Sequence, residues 1–289
     1  MALTSPSARV LVTGATGNVG RQVVDALRAR GVPLRLAARR APDRLEESDQ
    51  FVTLDFDEPG SFDEVVDGCD VLFLLRPPAV GNTRATLNPL VERARGCGVQ
   101  HVVFVSVMGA ADKRYVPHNA VERCLRDGPL DWTILRPGFF AQNLEAAYRD
   151  DIVRDDRVYV PAGRGRVAFI DLRDVGALTA DVILDPDSHK GQSYDLTGSR
   201  AWTFDEVAAL LTDVLGRTVR YEAASVLGYL RHLRRSGLGL MHSVIQTALH
   251  VGLRRGAAET VDPTLSRLLG RPARDVGDYI RDHGDVWRR

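Results

Sequence analysis

The stretch that decides the fold is RVLVT (Arg9–Thr13) followed at once by GATGNVG (Gly14–Gly20). RVLVT, with its apolar centre Val10-Leu11-Val12, reads as a short buried strand. Helical spacing follows: Val19, Val23, Val24 and Leu27 share one face of a helix predicted over Val19–Arg30, and Gly31 ends it. Strand, glycine turn and helix in this order give each glycine a separate task. Gly14 lets the chain reverse, Gly17 lets backbone N–H groups approach an anion, and Gly20 lets the helix pack closely on the strand. The helix N-terminus adds partial positive charge, so the turn reads as a cradle for the pyrophosphate of a dinucleotide.

Outward from the turn, apolar runs alternate with amphipathic stretches, the pattern of a doubly wound parallel sheet of the Rossmann type. Strands are expected at Leu34–Ala38, Phe51–Leu54, Val71–Leu75, Val102–Val105 and Trp132–Leu135. Ser61 with Glu64 resembles a capping box opening a helix to Val66. Further helices are predicted over Thr83–Gly96 and from Pro117 to Leu125. Beyond Phe140 the pattern changes to a hairpin-like stretch, Tyr159–Phe169, with Gly163 and Gly165 as its turn residues. Asp171 or Asp174 then caps a helix through Val182, and Ser193–Leu196 is a late strand. Thr203 and Glu206 open a helix that Gly216 ends, and the chain after Ser225 is mostly helical. This divides the chain into a dinucleotide-binding core, residues 1–150, and a smaller helical substrate lobe, residues 151–289, with 170–198 returning to the core.

Composition narrows the function. The formal net charge is +0, which leaves no overall basic field to hold nucleic acid. Cys69, Cys97 and Cys124 are too few and too scattered for a disulfide framework or a metal site, and read as small buried hydrophobes in a reducing compartment. No apolar run approaches the ~20 residues that span a bilayer, and the polar start from Met1 to Ser7 resembles no secretory signal. The expectation is a cytoplasmic monomer or homodimer with a small-molecule substrate, no metal, no nucleic acid and no membrane.

The second strand speaks to which dinucleotide. A ribose with a free 2′-hydroxyl is gripped by an acid at the end of this strand. Here the strand runs into Arg39 and Arg40, with no acid before Asp43. A guanidinium fork matches a 2′-phosphate, so NADPH (NADP) is expected over NADH.

With these residues in view the chain resembles the NmrA-like group of atypical short-chain dehydrogenases/reductases. The matching runs are TGATGNVG, LAARR, LDFDEPGSF, HVVFVSVMGA, WTILRPGFFAQN, AFIDLRDVGAL and SYDLTGSRAWTFDEVAALL, spread over nearly the whole chain. The resemblance implies Gly14, Thr16, Gly17, Asn18, Val19 and Gly20 around the pyrophosphate, and Arg39, seconded by Arg40, at the 2′-phosphate. Asp55 and Phe56 would flank the adenine, Leu74, Leu75 and Arg76 the ribose, and Pro137, Gly138, Phe139 and Phe140 the nicotinamide. For Leu74 and Leu75, ordinary strand core is an equally open reading.

One departure matters. Reductases of the wider superfamily carry Tyr-x-x-x-Lys on the helix after the fifth strand, and this chain has His118-Asn119-Ala120-Val121-Glu122 there. Spacing i, i+4 puts His118 and Glu122 on one helical face. Type-2 quinone oxidoreductases resemble it in this respect. The candidate catalytic residues are therefore His118, Glu122 and, three residues before the histidine, Tyr115, although Pro117 separates that tyrosine from the helix. As a proton donor His118 would act only while protonated, with rate falling as pH rises through its pKa; the alternative is a hydrogen bond to cofactor or core. Ser106, counted among the cofactor-site residues, either supports His118 or caps its strand. His101 begins a strand, and His232, His242 and His250 fall in the C-terminal helices.

The segment Leu227–Arg255 mixes Leu and Val with His and Arg. Helices packing their apolar residues on the core, a lid over a substrate, and a basic amphipathic surface for a membrane or partner are its three readings. The whole points to an NADPH-dependent reductase acting on a small carbonyl, enone or quinone-type acceptor. Alternatives are a nucleotide-sensing regulator without turnover and a biosynthetic tailoring enzyme using the scaffold for non-redox chemistry.

Overall fold

The computed structural model describes residues 10–42 and 44–289; Arg9, expected at the start of the first strand, and Asp43 lie outside them. Two compact units form, one from the chain through Pro137 together with Leu172–Leu196, the other from Gly138–Asp171 and Thr197–Arg289. The first unit closes at Pro137, where the sixth strand ends, so residues 138–150 fall in the second unit.

Elements are numbered along the chain. The first unit holds β1 (Val10–Thr13), α1 (Asn18–Arg28), β2 (Leu34–Ala38), β3 (Gln50–Thr53), α2 (Phe62–Val66) and β4 (Val71–Leu75). It continues with α3 (Leu87–Gly96), β5 (His101–Val105), α4 (Pro117–Asp127), β6 (Asp131–Pro137), α7 (Leu172–Leu184) and β9 (Gln192–Leu196). The strands form one sheet in the order β3-β2-β1-β4-β5-β6-β9, every pair parallel. Strand order reverses between β1 and β4, which opens a crevice at their carboxyl ends. The α1 stripe predicted from spacing, Val19, Val23, Val24 and Leu27, is buried, each large apolar side chain contributing about 1.5–3 kcal/mol. α1 packs beside α7, and α2, α3 and α4 adjoin one another. Between sheet and helices sits a core that includes Leu11, Leu72, Phe104 and Ile134.

Three local expectations fail. Ser61 caps no helix: Pro59–Ser61 is already a 3₁₀ turn, and the Ser61 hydroxyl donates back to the Glu58 carbonyl at 2.9 Å. Entry through a turn that already has helical dihedrals leaves the serine no extended position from which to cap. The third strand starts one residue earlier than expected, at Gln50, and α3 begins only at Leu87, after a turn. Cys69 is buried and Cys97 and Cys124 are half-buried.

The second unit holds α5 (Asn143–Ala146), α6 (Arg149–Asp155), β7 (Arg157–Val160), β8 (Arg166–Val167), β10 (Trp202–Thr203) and α8 (Phe204–Leu215). It ends with β11 (Arg220–Ala223), α9 (Val226–Arg235), α10 (Leu240–Arg254), α11 (Thr264–Leu269) and α12 (Val276–Asp282). The Tyr159–Phe169 stretch is not a hairpin. β7 pairs in parallel with β11, and β8 pairs antiparallel with β10. Gly165 is needed for another reason: a Cβ there would lie 2.1 Å from the Leu253 carbonyl oxygen, so α10 crosses too closely for any side chain. The Thr203–Glu206 capping box forms as expected and opens α8.

Candidate active site

A cleft of about 460 Å³ lies in the first unit at the carboxyl ends of β1 to β4. That volume falls in the ~300–1,000 Å³ range of small-molecule sites. Gly14, Thr16, Gly17, Arg39, Asp55, Phe56, Leu75 and Arg76 line it, joined by Ala37, Ala38, Leu54 and Asp57.

The glycine turn shapes one wall. Gly14 has φ +64°, and a Cβ on it would meet Leu75 Cδ2 at 3.0 Å. A Cβ on Gly20 would lie 2.1 Å from the Gly14 carbonyl oxygen, so this position carries the close packing of turn on helix. Gly17 is exposed, and its imagined Cβ lies 3.3 Å from the same oxygen, a contact a small shift relieves. Gly17 is the N-cap of α1, no side chain caps the helix, and no acid stands in its first turn. First-turn N–H groups have no carbonyl partner within a helix, so the turn fits a diphosphate. Thr13 ties the crevice shut beneath it: its hydroxyl donates to Phe73 O at 3.1 Å and accepts from Leu75 N at 2.9 Å.

The two arginines after β2 separate. Arg39 lines the cleft, whereas Arg40 lines a neighbouring cavity with Arg21, Arg28 and Arg44. Among the described residues no acid pairs with Arg39, which leaves its guanidinium open to an anion. Asp55 and Phe56 form the opposite wall, with one Asp55 oxygen accepting from Asp57 N at 3.0 Å.

Several expected residues are elsewhere. Val19, Gly20 and Leu74 are buried in the core and do not line the cleft, and Asn18 is exposed outside it. Pro137 closes β6 in the first unit, and Gly138, Phe139 and Phe140 begin the second. The sequence reading missed the loop Pro77–Asn82 and Thr86, which line the cleft. Its signal was present: Pro77-Pro78 and Gly81 stand directly after a buried strand, where loops carry ligands. Arg76 organises this loop, donating from Nη1 to the carbonyls of Pro77, Pro78 and Val80 at 3.2, 3.3 and 2.5 Å.

Arg76 Nε also donates to His118 Nε2 at 3.1 Å. His118 is 8% exposed, and its pKa is pushed down to about 4 by burial and then by the Arg76 charge, against a smaller opposing pull from Glu122. An acceptor role for Nε2 puts the ring proton on Nδ1, which finds no partner. Burial and the neighbouring Arg76 charge therefore favour the neutral imidazole.

Glu122 does not bond to His118 either. It is fully buried, accepting from Ser106 Oγ at 2.6 Å, Arg126 at 2.9 Å and both Nε and Nη2 of Arg136 at 2.9 and 2.7 Å. Burial would raise its pKa, but the hydrogen bonds from Arg136 and Ser106 and the charges of Arg136 and Arg126 hold it below the ordinary value. Glu122 and Ser106 thus pin β5, α4 and β6 together instead of facing the cleft. Tyr115 is 82% exposed on the loop before α4 and lines no part of the cleft. His101 is likewise structural, bonded to Thr133 Oγ1 at 2.9 Å.

Sheet order, glycine turn and cleft define a Rossmann-type protein with a cleft at the topological switch point. The NmrA-like family profile matches residues 6–260, and the chain belongs to that family. It is 30% identical to the NAD(P)H azoreductase of Xenophilus azovorans, over 95% of this chain and 97% of that one. It is 27% identical to quinone oxidoreductase 2 of Escherichia coli, over 94% and 97% of the two chains. The triphenylmethane reductase of Citrobacter sp., solved with NADP(H), shares the fold with a TM-score of 0.83 at 23% identity, covering 94% of this chain and 99% of that one.

Proposed function

We propose that the protein is an NAD(P)H-dependent oxidoreductase that uses NADPH to reduce a quinone-type acceptor. When bound, the nicotinamide supplies the hydride. Gly14, Thr16 and Gly17 hold the pyrophosphate, Arg39 the 2′-phosphate, Asp55 and Phe56 the adenine, and Leu75 and Arg76 the ribose. Pro137, at the end of β6, serves the nicotinamide end.

The observation that carries the choice of acceptor is the setting of His118, buried with its Nε2 against the Arg76 guanidinium. A ketone reduced to an alkoxide demands a strong proton donor, and a neutral imidazole beside a guanidinium is a poor one. A reduced quinone is a weak base that takes its protons from water. His118 then serves to hold Arg76, which lines the cleft, through Nε2. The test is NADPH oxidation against a panel of quinones and simple ketones, run beside a binding titration. Turnover on quinones and little on ketones is expected; efficient ketone reduction would defeat the assignment.

A further inference from the structure

The helix α10 is built inside out. Its inward face carries Ser243, Thr247 and His250, with Leu253, all buried. Its outward face carries Leu240, Met241, Val244, Ile245 and Leu249, which are 46–69% exposed. These positions recur at i, i+1, i+4, i+5 and i+9, one continuous helical stripe. The orientation is fixed by satisfied polar groups. Ser243 Oγ donates to Gly239 O at 3.0 Å and Thr247 Oγ1 to Ser243 O at 2.7 Å, so both hydroxyls enter the interior already paired. The His250 ring bridges Gln246 O at 2.7 Å and the buried Tyr148 hydroxyl at 2.5 Å. Of the apolar residues of α10, Leu253 packs on the core as one of the three readings had it, whereas Leu240, Met241, Val244, Ile245 and Leu249 do not.

Charge identifies what covers the stripe. Residues 225–255 contain Arg231, Arg234, Arg235, Arg254 and Arg255, all exposed, and no aspartate or glutamate. A second copy docked on this face through a two-fold axis would set the same arginines against themselves. An acidic surface with an apolar interior answers both features. At 15 residues α10 is about 22 Å long, shorter than the ~30 Å hydrocarbon core of a bilayer. Among the described residues no helix is long and apolar enough to cross a membrane. Exposed contiguous apolar surface with a basic rim suits the plane of a lipid interface.

We propose that the exposed face of α10, with the arginines of α9 and the α10 C-terminus, docks the protein on an anionic lipid surface. The test is co-sedimentation of the full chain with vesicles of mixed phosphatidylcholine and phosphatidylglycerol, and with phosphatidylcholine alone. It reads no turnover, so it stands or falls apart from the reductase assignment. Binding to the mixed vesicles is expected, weaker on phosphatidylcholine and weaker as salt rises. The combined variant Met241→Ser, Ile245→Ser and Leu249→Ser changes only exposed positions, and its thermal melt checks that it folds. It should lower partitioning about tenfold or more, and Arg234→Gln with Arg235→Gln should lower it on the anionic vesicles only. Absence of binding to either vesicle, or equal binding by the folded serine variant, would overturn the proposal. So would a wild-type dimer that ignores vesicles and becomes monomeric in the serine variant, which assigns the face to a second copy.

Discussion

The glycine turn after β1 and the α10 helix both leave groups open to the surroundings, but of opposite kinds. At the turn, backbone N–H groups of α1 lack a cap and face a cleft, so a polar ligand completes them. On α10, polar side chains are satisfied inside and apolar ones face outward, so only an apolar layer completes them. Incomplete backbone thus points to an anion and incomplete side-chain burial to a surface. The same contrast separates two glycines three residues apart: Gly20 belongs to packing, whereas Gly17 is exposed on the cleft wall.

The largest effect separates those glycines. Gly20→Val places carbon atoms inside the Gly14 carbonyl and should destabilise the fold by several kcal/mol, leaving little folded protein in a thermal melt. Gly17→Val should fold and lose dinucleotide binding by calorimetry, since its side chain fills the approach to the turn. A well-folded Gly20→Val, or a Gly17→Val that binds as the wild type does, would erase the distinction.

Next in size is the Glu122 network. Glu122→Gln leaves Arg136 with a neutral partner in a buried place and should cost about 3 kcal/mol in urea unfolding. A loss of turnover without that loss of stability would return Glu122 to the chemistry.

Arg39→Ala should weaken NADPH about tenfold or more, ~1.4 kcal/mol, and leave NADH nearly unchanged. Arg40→Ala, in the neighbouring cavity, should do much less. Calorimetry on both cofactors with both variants decides which arginine reads the phosphate.

Smaller still are the effects of His118. His118→Ala should lower quinone turnover by less than about tenfold, whereas a proton donor would cost ~10²–10⁴. His101 and His118 both have pKa values lowered to about 4. The unfolded chain takes protons near the ordinary 6.5 that the folded chain refuses. Stability from these two is full above that value and lost as pH falls toward 4, so the melting temperature should drop across this window. The drop should be shallower in His118→Asn.

Most of the sheet was legible in the sequence because strands buried on both faces are unbroken apolar runs, such as Val71–Leu75 and Val102–Val105. The turn was legible because backbone geometry dictates its glycines. Three features were not. Ser61 and Glu64 have the spacing of a cap, but Pro59 had already started the turn. Gly163 and Gly165 look like a hairpin turn, yet Gly165 answers to a helix almost ninety positions on, at Leu253. His118 and Glu122 share a helical face by spacing, but Arg76, just after β4, and Arg136, on β6, decide where each one bonds, with Arg126 joining Glu122 from their own helix. Periodicity reports which face a residue occupies and says nothing of the partner brought to it from elsewhere in the chain.

The most direct test follows the oxidation of enzyme-bound NADPH by a quinone in a single turnover, between about pH 6 and 8. The account predicts complete oxidation at a rate that stays level, because His118 is neutral throughout. NADPH that binds and is oxidised by no acceptor, or a rate that falls tenfold for each rise of one pH unit, would contradict it.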